Sequence, residues 1–521
     1  MMRTLALALS MVLVLSACVG DDGDDGNDGA PGPAGPQGPQ GPQGPQGPGG
    51  GDGDDAASIL PIANVVTTMA NDLRGLTYAR VAPNAGRIYA SGHVGTTNET
   101  RQVVVARFHA DGTPDTSFDG DGFVQLQATP GVFANGDENS LGIAELQQSG
   151  DVVVTVNAAD AGGGQSVYLF RLTPAGAKRA GWGDADGKVE VVFGRSNAQN
   201  GTFPGAPTAI PSDTAWDVQT DRSVASDRVV VFGFGSAAPN AANRTDQDRF
   251  VARLLVTDTT AVADPTFNGG LAFTYHSTGT LVDNSRRGIV EADGKILQAG
   301  YANLGTGLGN HVIVFRLNTN GALDNTFGGF STEPATLPAQ AGVAVFNPFK
   351  VDGGVAECYG VARQSSGAYV TTGYGGATAT GGSSTLGYRG TLAPDVVTFR
   401  VLGGAAANVD TGWANNGHQA VQSEGKGFPS NEDRGRHLVV LPDDRSIQVG
   451  RFGGNAAAFV FTPDGDPDES VFGDGIIELA HPSVTSQFFG VALSADGKRV
   501  AMTTDNHANG ARLVILKLAA N

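Results

Sequence analysis

A short pattern recurs seven times between residue 74 and the C-terminus of the chain. Its copies are Arg74-Gly75-Leu76, Leu141-Gly142-Ile143, Trp216-Asp217-Val218, Arg287-Gly288-Ile289, Tyr359-Gly360-Val361, Arg436-His437-Leu438 and Phe489-Gly490-Val491. The stretch of chain between one copy and the next is one repeating unit. A unit of this kind is too small to bury its apolar face alone, so the units have to stack on their neighbours. The 521 residues therefore predict an array of similar small units rather than one large core.

The fourth copy shows best what one unit contains. Residues 288–300 hold two short apolar stretches around Asp293-Gly294, a dipeptide typical of tight hairpin turns. A third apolar stretch covers 311–317, and the first copy adds a fourth stretch at 123–126. Because helical periodicity is absent from the body of the chain, we predict four short antiparallel strands per unit.

An Asp-x-x-aromatic element follows the third strand of most units. It occurs as Asp115/Phe118, Asp264/Phe267, Asp324/Phe327 and Asp410/Trp413, whereas the second copy has Arg179 before Trp182 and the sixth has Asp468 before Val471 and Phe472. The stretch 107–122, RFHADGTPDTSFDGDG, resembles the delta-60 repeat of bacterial propeller-like surface proteins. The resemblance covers the body of the chain and implies a β-propeller. It implies no particular activity, because the family is defined by its repeat.

We predict an all-β fold in which residues 56–521 form a seven-bladed β-propeller of four-stranded antiparallel sheets. The last copy has only three strands, at 488–494, 498–504 and 511–518. The stretch 57–70 can supply the missing outer strand, which would close the ring and tie the two ends of the body together. An open solenoid of the same repeats is the alternative.

The N-terminus has the features of an export signal. Arg3 precedes an apolar run that is too short to span a bilayer, so residues 1–17 are predicted to be a signal peptide. Leu15-Ser16-Ala17-Cys18 resembles the lipobox of bacterial lipoproteins, which implies cleavage before Cys18 and its lipidation. Val19 favours the outer membrane over the inner by analogy with enterobacterial sorting. An ordinary secretory signal with an incidental cysteine is the alternative.

Residues 18–55 are predicted to be a stalk. Glycine occupies every third position from Gly20 to Gly53, with proline frequent in between, which is the collagen-like Gly-X-Y pattern. Such a segment can form a homotrimer through residues 20–55 or serve as a disordered or extended monomeric spacer. Both alternatives stay open.

Charge and cysteine content exclude several classes of protein. With 52 acidic and 33 basic residues the net charge is −19, which argues against binding nucleic acid or anionic lipid through charge. The two cysteines exclude a disulfide scaffold. With Cys18 lipidated, Cys358 is left, and we expect a buried, unreactive thiol because histidine is absent from its sequence neighbourhood.

The aspartates of the turns allow two interpretations. As Asx-turn acceptors they bind backbone N–H groups while the aromatic residue packs on the next sheet, which is the role we expect. Calcium binding is the alternative for the alternating carboxylates Asp119/Asp121, Asp184/Asp186 and Asp464/Asp466/Asp468. These loops lack the bidentate glutamate of the twelve-residue calcium loop, so we predict no metal or cofactor.

The strand order assigns each connection to one of two faces. The turn face carries the Asp-x-x-aromatic turns and short hairpin turns such as 291–295, 441–445 and 494–498. The opposite loop face carries the long connections 194–213, 331–356, 374–395 and 422–434. Because irregular long loops commonly carry binding sites, we predict a ligand site at the channel mouth on the loop face. Its candidate residues are Asn71, Glu138, Asp213, Asn284, Arg286, Arg287, Glu357, Asp433 and Arg436, with Ser486 at the equivalent place in the last copy.

Sequence motifs of common enzyme classes are absent, including the nucleophile elbow, the metalloprotease HExxH and the P-loop. We therefore expect a lipoprotein that displays a non-catalytic binding module for a protein or polysaccharide. A glycan hydrolase or lyase that uses Asp213, Glu138 and Asp433 as acid and base is one alternative. A structural surface protein trimerised by its stalk is the other.

Overall fold

A computed structural model describes most of the body of the chain. The described residues are 60–67, 70–95, 101–128, 138–159, 165–191, 195–197, 201–202, 213–236, 247–275, 277, 282–305, 307–349, 354–376, 395–405, 408–414, 417–421, 423, 433–479, 486–505 and 510–518. They belong to a compact unit that covers Asp55–Asn521. The predicted signal peptide, Cys18 and the Gly-X-Y stalk lie outside the described residues. A search of the described residues for a helix able to cross a membrane finds none.

The described elements are strands and one short 3₁₀-helix, as the sequence predicts. They are β1 Leu60–Thr67, β2 Asp72–Tyr78, β3 Ile88–Val94, β4 Gln102–Phe108, β5 Phe123–Leu126, β6 Ile143–Glu145, β7 Val152–Ala159, β8 Gln165–Leu172, β9 Lys188–Glu190, β10 Arg195–Asn197, β11 Gly201–Thr202, β12 Asp213–Thr220, β13 Arg228–Ser236, β14 Gln247–Val256, β15 Ala261–Ala263, η1 Asn268–Gly270, β16 Ala272–Tyr275, β17 Asp283–Val290, β18 Ile296–Asn303, β19 Asn310–Leu317, β20 Phe330–Ser331, β21 Val343–Phe346, β22 Val355–Arg363, β23 Tyr369–Gly376, β24 Asp395–Val401, β25 His418–Val421, β26 Arg434–Val440, β27 Ser446–Phe452, β28 Asn455–Phe461, β29 Ile476–Leu479, β30 Gln487–Leu493, β31 Arg499–Asp505 and β32 Ala511–Lys517.

The strands pair in antiparallel groups of four, which confirms the predicted unit. The groups are β2-β3-β4-β5 (group 1), β6-β7-β8-β9 (group 2), β12-β13-β14-β16 (group 3), β17-β18-β19-β21 (group 4), β22-β23-β24-β25 (group 5), β26-β27-β28-β29 (group 6) and β30-β31-β32-β1 (group 7). Groups 3 and 4 carry the short extra strands β10, β11, β15 and β20. Groups 1 and 7 share one sheet through the single pair Asp72 and Asp505.

The N-terminal strand β1 lies beside the last strand of the chain. It pairs antiparallel with β32 from Leu60, opposite Lys517, to Thr67, opposite Ala511. This position is the one at which the last repeat lacks a fourth strand of its own.

The first strands of the groups follow one another in space. Each of β2, β6, β12, β17, β22, β26 and β30 contacts the next in this order, and β30 contacts β2. The apolar core lies between neighbouring groups, as where Val105 and Phe118 pack with Val154 and Phe170. Because both faces of a sheet are covered, successive side chains of one strand are buried on opposite sides.

An arginine on the third strand organises the Asp-x-x-aromatic turns. In group 3, Nε of Arg253 lies 2.8 Å from Oδ2 of Asp264, and its carbon Cζ lies 4.8 Å from the centroid of the Phe267 ring. Asp264 also accepts the backbone N–H of Thr266 at 2.8 Å, which is the predicted Asx-type bond. Arg253 then donates to the carbonyl of Thr319 in group 4 at 2.6 Å. The turn therefore clamps one group to the next.

The two departures from this motif keep a carboxylate–arginine pair. In group 2, Arg179 replaces the aspartate, and Asp151 from the preceding hairpin pairs with Arg171 at 2.6 Å. In group 6, Val460 replaces the arginine of the third strand, and Arg445 pairs with Asp468 at 3.0 Å. The same bond is thus made by residues from neighbouring turns.

Cys358 is fully buried, as expected from the sequence. Burial raises the pKa of its thiol to about 12, because a charged thiolate in the core would lack the hydration that it has in water. Its thiol donates to the carbonyl of Gly360 in the same strand at 3.3 Å. The thiol is therefore part of the core.

Candidate functional site

The repeated sequence pattern coincides with β-bulges in the first strands. In six of the described first strands the pairing with the second strand skips residues of the pattern. The skipped residues are Arg74, Trp216, Arg286 with Arg287, Tyr359, Arg436 and Phe489. A bulge redirects a side chain out of the regular alternation of a strand.

Glycine stands at the centre of most copies because a larger side chain would collide with a neighbouring group. A Cβ at Gly142 would lie 2.6 Å from the backbone nitrogen of Val218 in the next group. One at Gly288 would lie 2.3 Å from the ring of Phe232 in the preceding group. Glycine therefore lets adjacent groups approach closely. Asp217 and His437 stand at this position in two copies, where their side chains reach the cavity described below.

The skipped residues form an arginine–aromatic cluster of Arg74, Trp216, Arg286, Tyr359, Arg436 and Phe489. Cζ of Arg286 lies 4.1 Å from the ring centroid of Trp216 and 4.5 Å from that of Tyr359. Trp216 and Phe489 stack with centroids 6.2 Å apart. Cζ of Arg436 is 5.1 Å from Tyr359 and 5.4 Å from Phe489. Because these residues come from six groups, the cluster joins first strands that are far apart in the chain by cation–π contacts.

Arg287 connects four groups by itself. From group 4 it donates to the carbonyl of Arg74 in group 1 at 2.8 Å and to that of Leu141, just before group 2, at 3.4 Å. Its guanidinium also lies 3.5 Å from Oδ1 of Asp217 in group 3. Burial raises the pKa of Asp217 to about 6, although the charge of Arg287 and the hydrogen bond from Gln219 act to lower it.

A cavity of about 440 Å³, called the central cavity here, lies next to Arg287 and Asp217. It is lined by residues from all seven first strands, among them Thr77, Ile143, Gln219, Ile289, Val361 and Val491, and has Asp217, Arg287 and His437 at its inner end. Burial, with the charge of Arg287, lowers the pKa of His437 well below its ordinary value, so this ring is neutral. Arg80, Arg222 and Arg363 lie at the outer end, on the turn face.

One comparison with known proteins, a family model, agrees with this architecture. A family model described as a β-propeller domain of unknown function, DUF5122, matches residues 86–118 and 291–327. These two ranges contain equivalent strands and Asp-x-x-aromatic turns of groups 1 and 4. The body of the chain is a β-propeller.

One solved structure is similar over much of the chain. It is that of PorZ, described as an essential bacterial surface component of the type-IX secretion system of Porphyromonas gingivalis. The similarity covers 86% of this chain and 46% of that chain, at 13% sequence identity and a TM-score of 0.37. This chain therefore spans less than half the length of PorZ. Curated proteins give no match to the sequence.

Most of the predicted site residues lie at the other end of the first strands, towards the loop face. Oδ1 of Asn71 accepts the N–H of Gly95 at 2.7 Å, and Glu138 accepts that of Ala128 with both oxygens, at 3.0 and 3.2 Å. Asp433 accepts the N–H groups of Ser423 and Gly453, each at 2.8 Å. The hydroxyl of Ser486 donates to the carbonyl of Asp505 at 3.1 Å. These side chains hold loop backbone at the strand entry, and their ligand role stays a prediction.

Asp213 begins β12 of the propeller, and Asn284 is the second residue of β17; both are partly buried. Glu357 is buried and accepts hydrogen bonds from the hydroxyl of Tyr359 at 3.2 Å and from the amide of Asn310. Burial raises the pKa of Glu357, while hydrogen bonding with Tyr374 and the charge of Arg286 act against this rise. These acids therefore lie apart from the central cavity.

Among the nine predicted residues, Arg287 lines the central cavity, while Arg286 and Arg436 belong to the arginine–aromatic cluster. The sequence analysis missed Arg80, Arg222, Asp217 and His437. Arg80 and Arg222 each stand five positions after the centre of their repeat copy, a signal that an alignment of the copies contains. The sequence analysis took the hairpin turns to be uniform and therefore overlooked these two arginines.

Two further predictions concern loops and calcium. The long loops 194–213, 374–395 and 422–434 lie largely outside the described residues, so binding at the loop face stays a prediction. In the described turns, Asp184 accepts the N–H groups of Asp186 and Lys188, and Asp468 accepts the N–H and the hydroxyl of Ser470. Within the described residues, no group of three or more His, Cys, Asp or Glu side chains is arranged to hold a metal ion. Calcium binding stays untested.

Proposed function

We propose that the seven groups are the blades of a closed propeller, with β1 as the outer strand of the seventh. The pairing of β1 with β32 supports this, as does the contact of β30 with β2. An apolar cluster that joins Leu513 and Ile515 of group 7 to Ile88 and Val104 of group 1 supports it further.

The closure can be tested by deleting residues 60–67 from the full chain. A closed ring loses stability as a whole, because β32 becomes an unpaired edge and its contacts with group 1 weaken. Denaturant unfolding should then show one transition at a lower midpoint. A change confined to a minor second transition would favour the open solenoid.

The closed propeller acts as a non-catalytic binding module, and the central cavity is its ligand site. The supporting observation is that one cavity takes residues from all seven first strands. The residue directly after the centre of each copy is always aliphatic, but the lining residues that follow it differ from copy to copy, as Thr77, Gln219 and Ala362 do. The volume of the cavity lies within the range of small-ligand sites.

This module is displayed on a bacterial cell surface by a lipid at Cys18 and the stalk 18–55. The lipobox-like segment before Cys18 and the Gly-X-Y repeats support this arrangement. Val19 supports the outer membrane. The ligand is a polysaccharide or a protein of the same surroundings.

The test uses the full chain in a mild detergent, presented with surface polysaccharides and proteins, with and without calcium. Retention without released products is the expected result. The variant Ala362→Trp places a bulky ring on the wall of the cavity and should abolish retention. Deletion of residues 377–394, which the sequence analysis assigns to the loop face, should leave retention unchanged. The reverse pattern would return the site to the loop face.

A glycan hydrolase or lyase is the second candidate, favoured by Asp217, a buried carboxyl group in the cavity whose pKa is raised to about 6. Released products in the same assay, lost in Asp217→Asn, would establish it. The structural alternative, a head trimerised by residues 20–55, is tested by light scattering on the chain with and without that segment. Equal protomer numbers would contradict it.

A further inference from the structure

The outer end of the central cavity carries an excess of positive charge. Arg80, Arg222 and Arg363 come from groups 1, 3 and 5 and line the cavity together. The side chains of Arg222 and Arg363 are 34% and 51% exposed. Because the chain as a whole has a net charge of −19, three cations at one opening indicate a local role for positive charge.

The local carboxylates compensate these cations only in part. Glu145 lies 3.4 Å from Arg222, but its oxygens also accept the backbone N–H groups of Arg80 and Val81 at 2.7 and 3.1 Å. Glu291 lies 3.6 Å from Arg363 and also accepts the hydroxyl of Tyr369. Three arginines and two glutamates leave this opening with one positive charge.

Arg80 and Arg222 repel each other. Partial desolvation and the charge of Arg222 together lower the pKa of Arg80, although Glu145 acts to raise it. Within the described part of the chain, the guanidinium of Arg80 makes no hydrogen bond or ion pair. An anion placed between the two guanidinium groups would relieve this repulsion and accept bidentate hydrogen bonds.

The remaining lining favours a hydroxyl-rich body behind the anionic group. The first strands are edge strands of their groups, so they present backbone donors and acceptors towards the cavity. Thr77 adds a polar side chain between the apolar walls, whereas the amide of Gln219 is already bonded to Asp217, Gly288 and Val290. Sugar hydroxyls both donate and accept hydrogen bonds, and the apolar faces of a sugar ring can pack on Ile289 and Val361.

We propose that the central cavity binds a uronate unit of an acidic polysaccharide, with its carboxylate between Arg80 and Arg222. This inference rests on the proposed binding function and specifies its ligand class. The single net charge of the opening matches a monoanionic carboxylate better than a dianionic phosphate. A uronate can be free or stand at the end of a chain, and both sources present the same group.

The test is calorimetric titration of the full chain in mild detergent at low ionic strength. The probes are galacturonate, a galacturonate oligomer, the neutral galactose oligomer, inorganic phosphate and an acidic peptide. Binding of one or both uronates, at least tenfold tighter than the neutral sugar and weakened by salt, is the expected result. If galacturonate alone binds, the source is a free sugar; if the oligomer alone binds, it is a chain end.

The matched variants are Arg80→Ala and Arg222→Ala, with Arg179→Ala as the control. Arg179 is an arginine of the turn face that does not line the cavity. Each cavity variant should weaken uronate binding at least tenfold and leave the thermal unfolding midpoint near that of wild type. Arg80→Lys should recover part of the loss, because it keeps the charge without the fork.

Other outcomes separate this inference from the proposed function. Equal binding of neutral and acidic sugars, unaffected by the arginine variants, would overturn the uronate proposal and leave the binding module standing. Preferential binding of phosphate or the acidic peptide would overturn the ligand class. Absence of binding to every probe and to the wider panel of polysaccharides and proteins would overturn both.

Discussion

The Asp-x-x-aromatic turns and the first-strand bulges occupy equivalent places in most repeats, yet they differ in how freely their residues vary. The turn keeps one bond, and where group 2 or group 6 loses one partner, Asp151 or Arg445 supplies the pair from a neighbouring hairpin. The bulge carries arginine, tryptophan, tyrosine or phenylalanine in different copies. A turn that clamps neighbouring groups has the same task each time, whereas bulge residues meet each other near the centre and need complementary shapes.

This difference also separates two kinds of aspartate. Burial alone would raise the pKa of Asp264, but hydrogen bonds from Thr266 and the charge of Arg253 hold it below the ordinary value. At Asp217 burial prevails, and the pKa is raised. The turns therefore stabilise the ionised form of their aspartates, whereas the surroundings of Asp217 favour its protonated form.

Breaking a turn clamp should have the largest effect on stability. Arg253→Ala leaves Asp264 buried without its main cation, so we expect a loss of about 3–5 kcal/mol in the free energy of unfolding. Urea unfolding measures it. The control Arg179→Ala, with a side chain 38% exposed, should cost below about 1 kcal/mol. Similar losses in both variants would contradict the clamp.

Breaking the arginine–aromatic cluster should cost somewhat less. Arg286→Ala removes three cation–π contacts and hydrogen bonds to the hydroxyls of Tyr301 and Tyr359, so we expect a loss of about 3 kcal/mol. Arg286→Lys should recover only part of it. A loss within about 0.5 kcal/mol would mean that the cluster adds little to stability.

The raised pKa of Asp217 predicts a pH effect of opposite sign to that of the turn aspartates. Its folded pKa of about 6 lies above an unfolded value of about 4, so ionisation costs stability as the pH rises. Between about pH 4 and pH 7 wild type should lose about 2–3 kcal/mol relative to Asp217→Asn. Urea unfolding across this range measures it, and parallel stability curves would contradict the shift.

The smallest effect is expected at Cys358. Its thiol is fully buried and has a pKa of about 12, so a thiol reagent should fail to modify it at pH 8 until the chain unfolds. Blocking Cys18 by substitution to serine leaves Cys358 as the sole thiol to follow. Rapid modification of the folded chain would contradict the burial.

The sequence by itself determined the repeating unit and its local structure. The apolar alternation around Asp293-Gly294 specifies a hairpin, and the Asp-x-x-aromatic spacing specifies a turn, because both depend on residues close in the chain. The missing strand of the last copy also pointed to the N-terminal stretch that pairs with β32. These features need only local backbone geometry and a count of strands.

Only the tertiary structure decided what meets at the centre. Arg80 and Arg222 are far apart in the chain and line one cavity because the first strands of groups 1 and 3 face the same space. The bulges that direct Trp216 and Arg286 towards each other follow from the pairing register. Glycine is required at Gly142 because the backbone of the next group packs against it. Contacts between the first strands depend on the summed geometry of all the groups, and the spacing of residues along one chain does not contain that information.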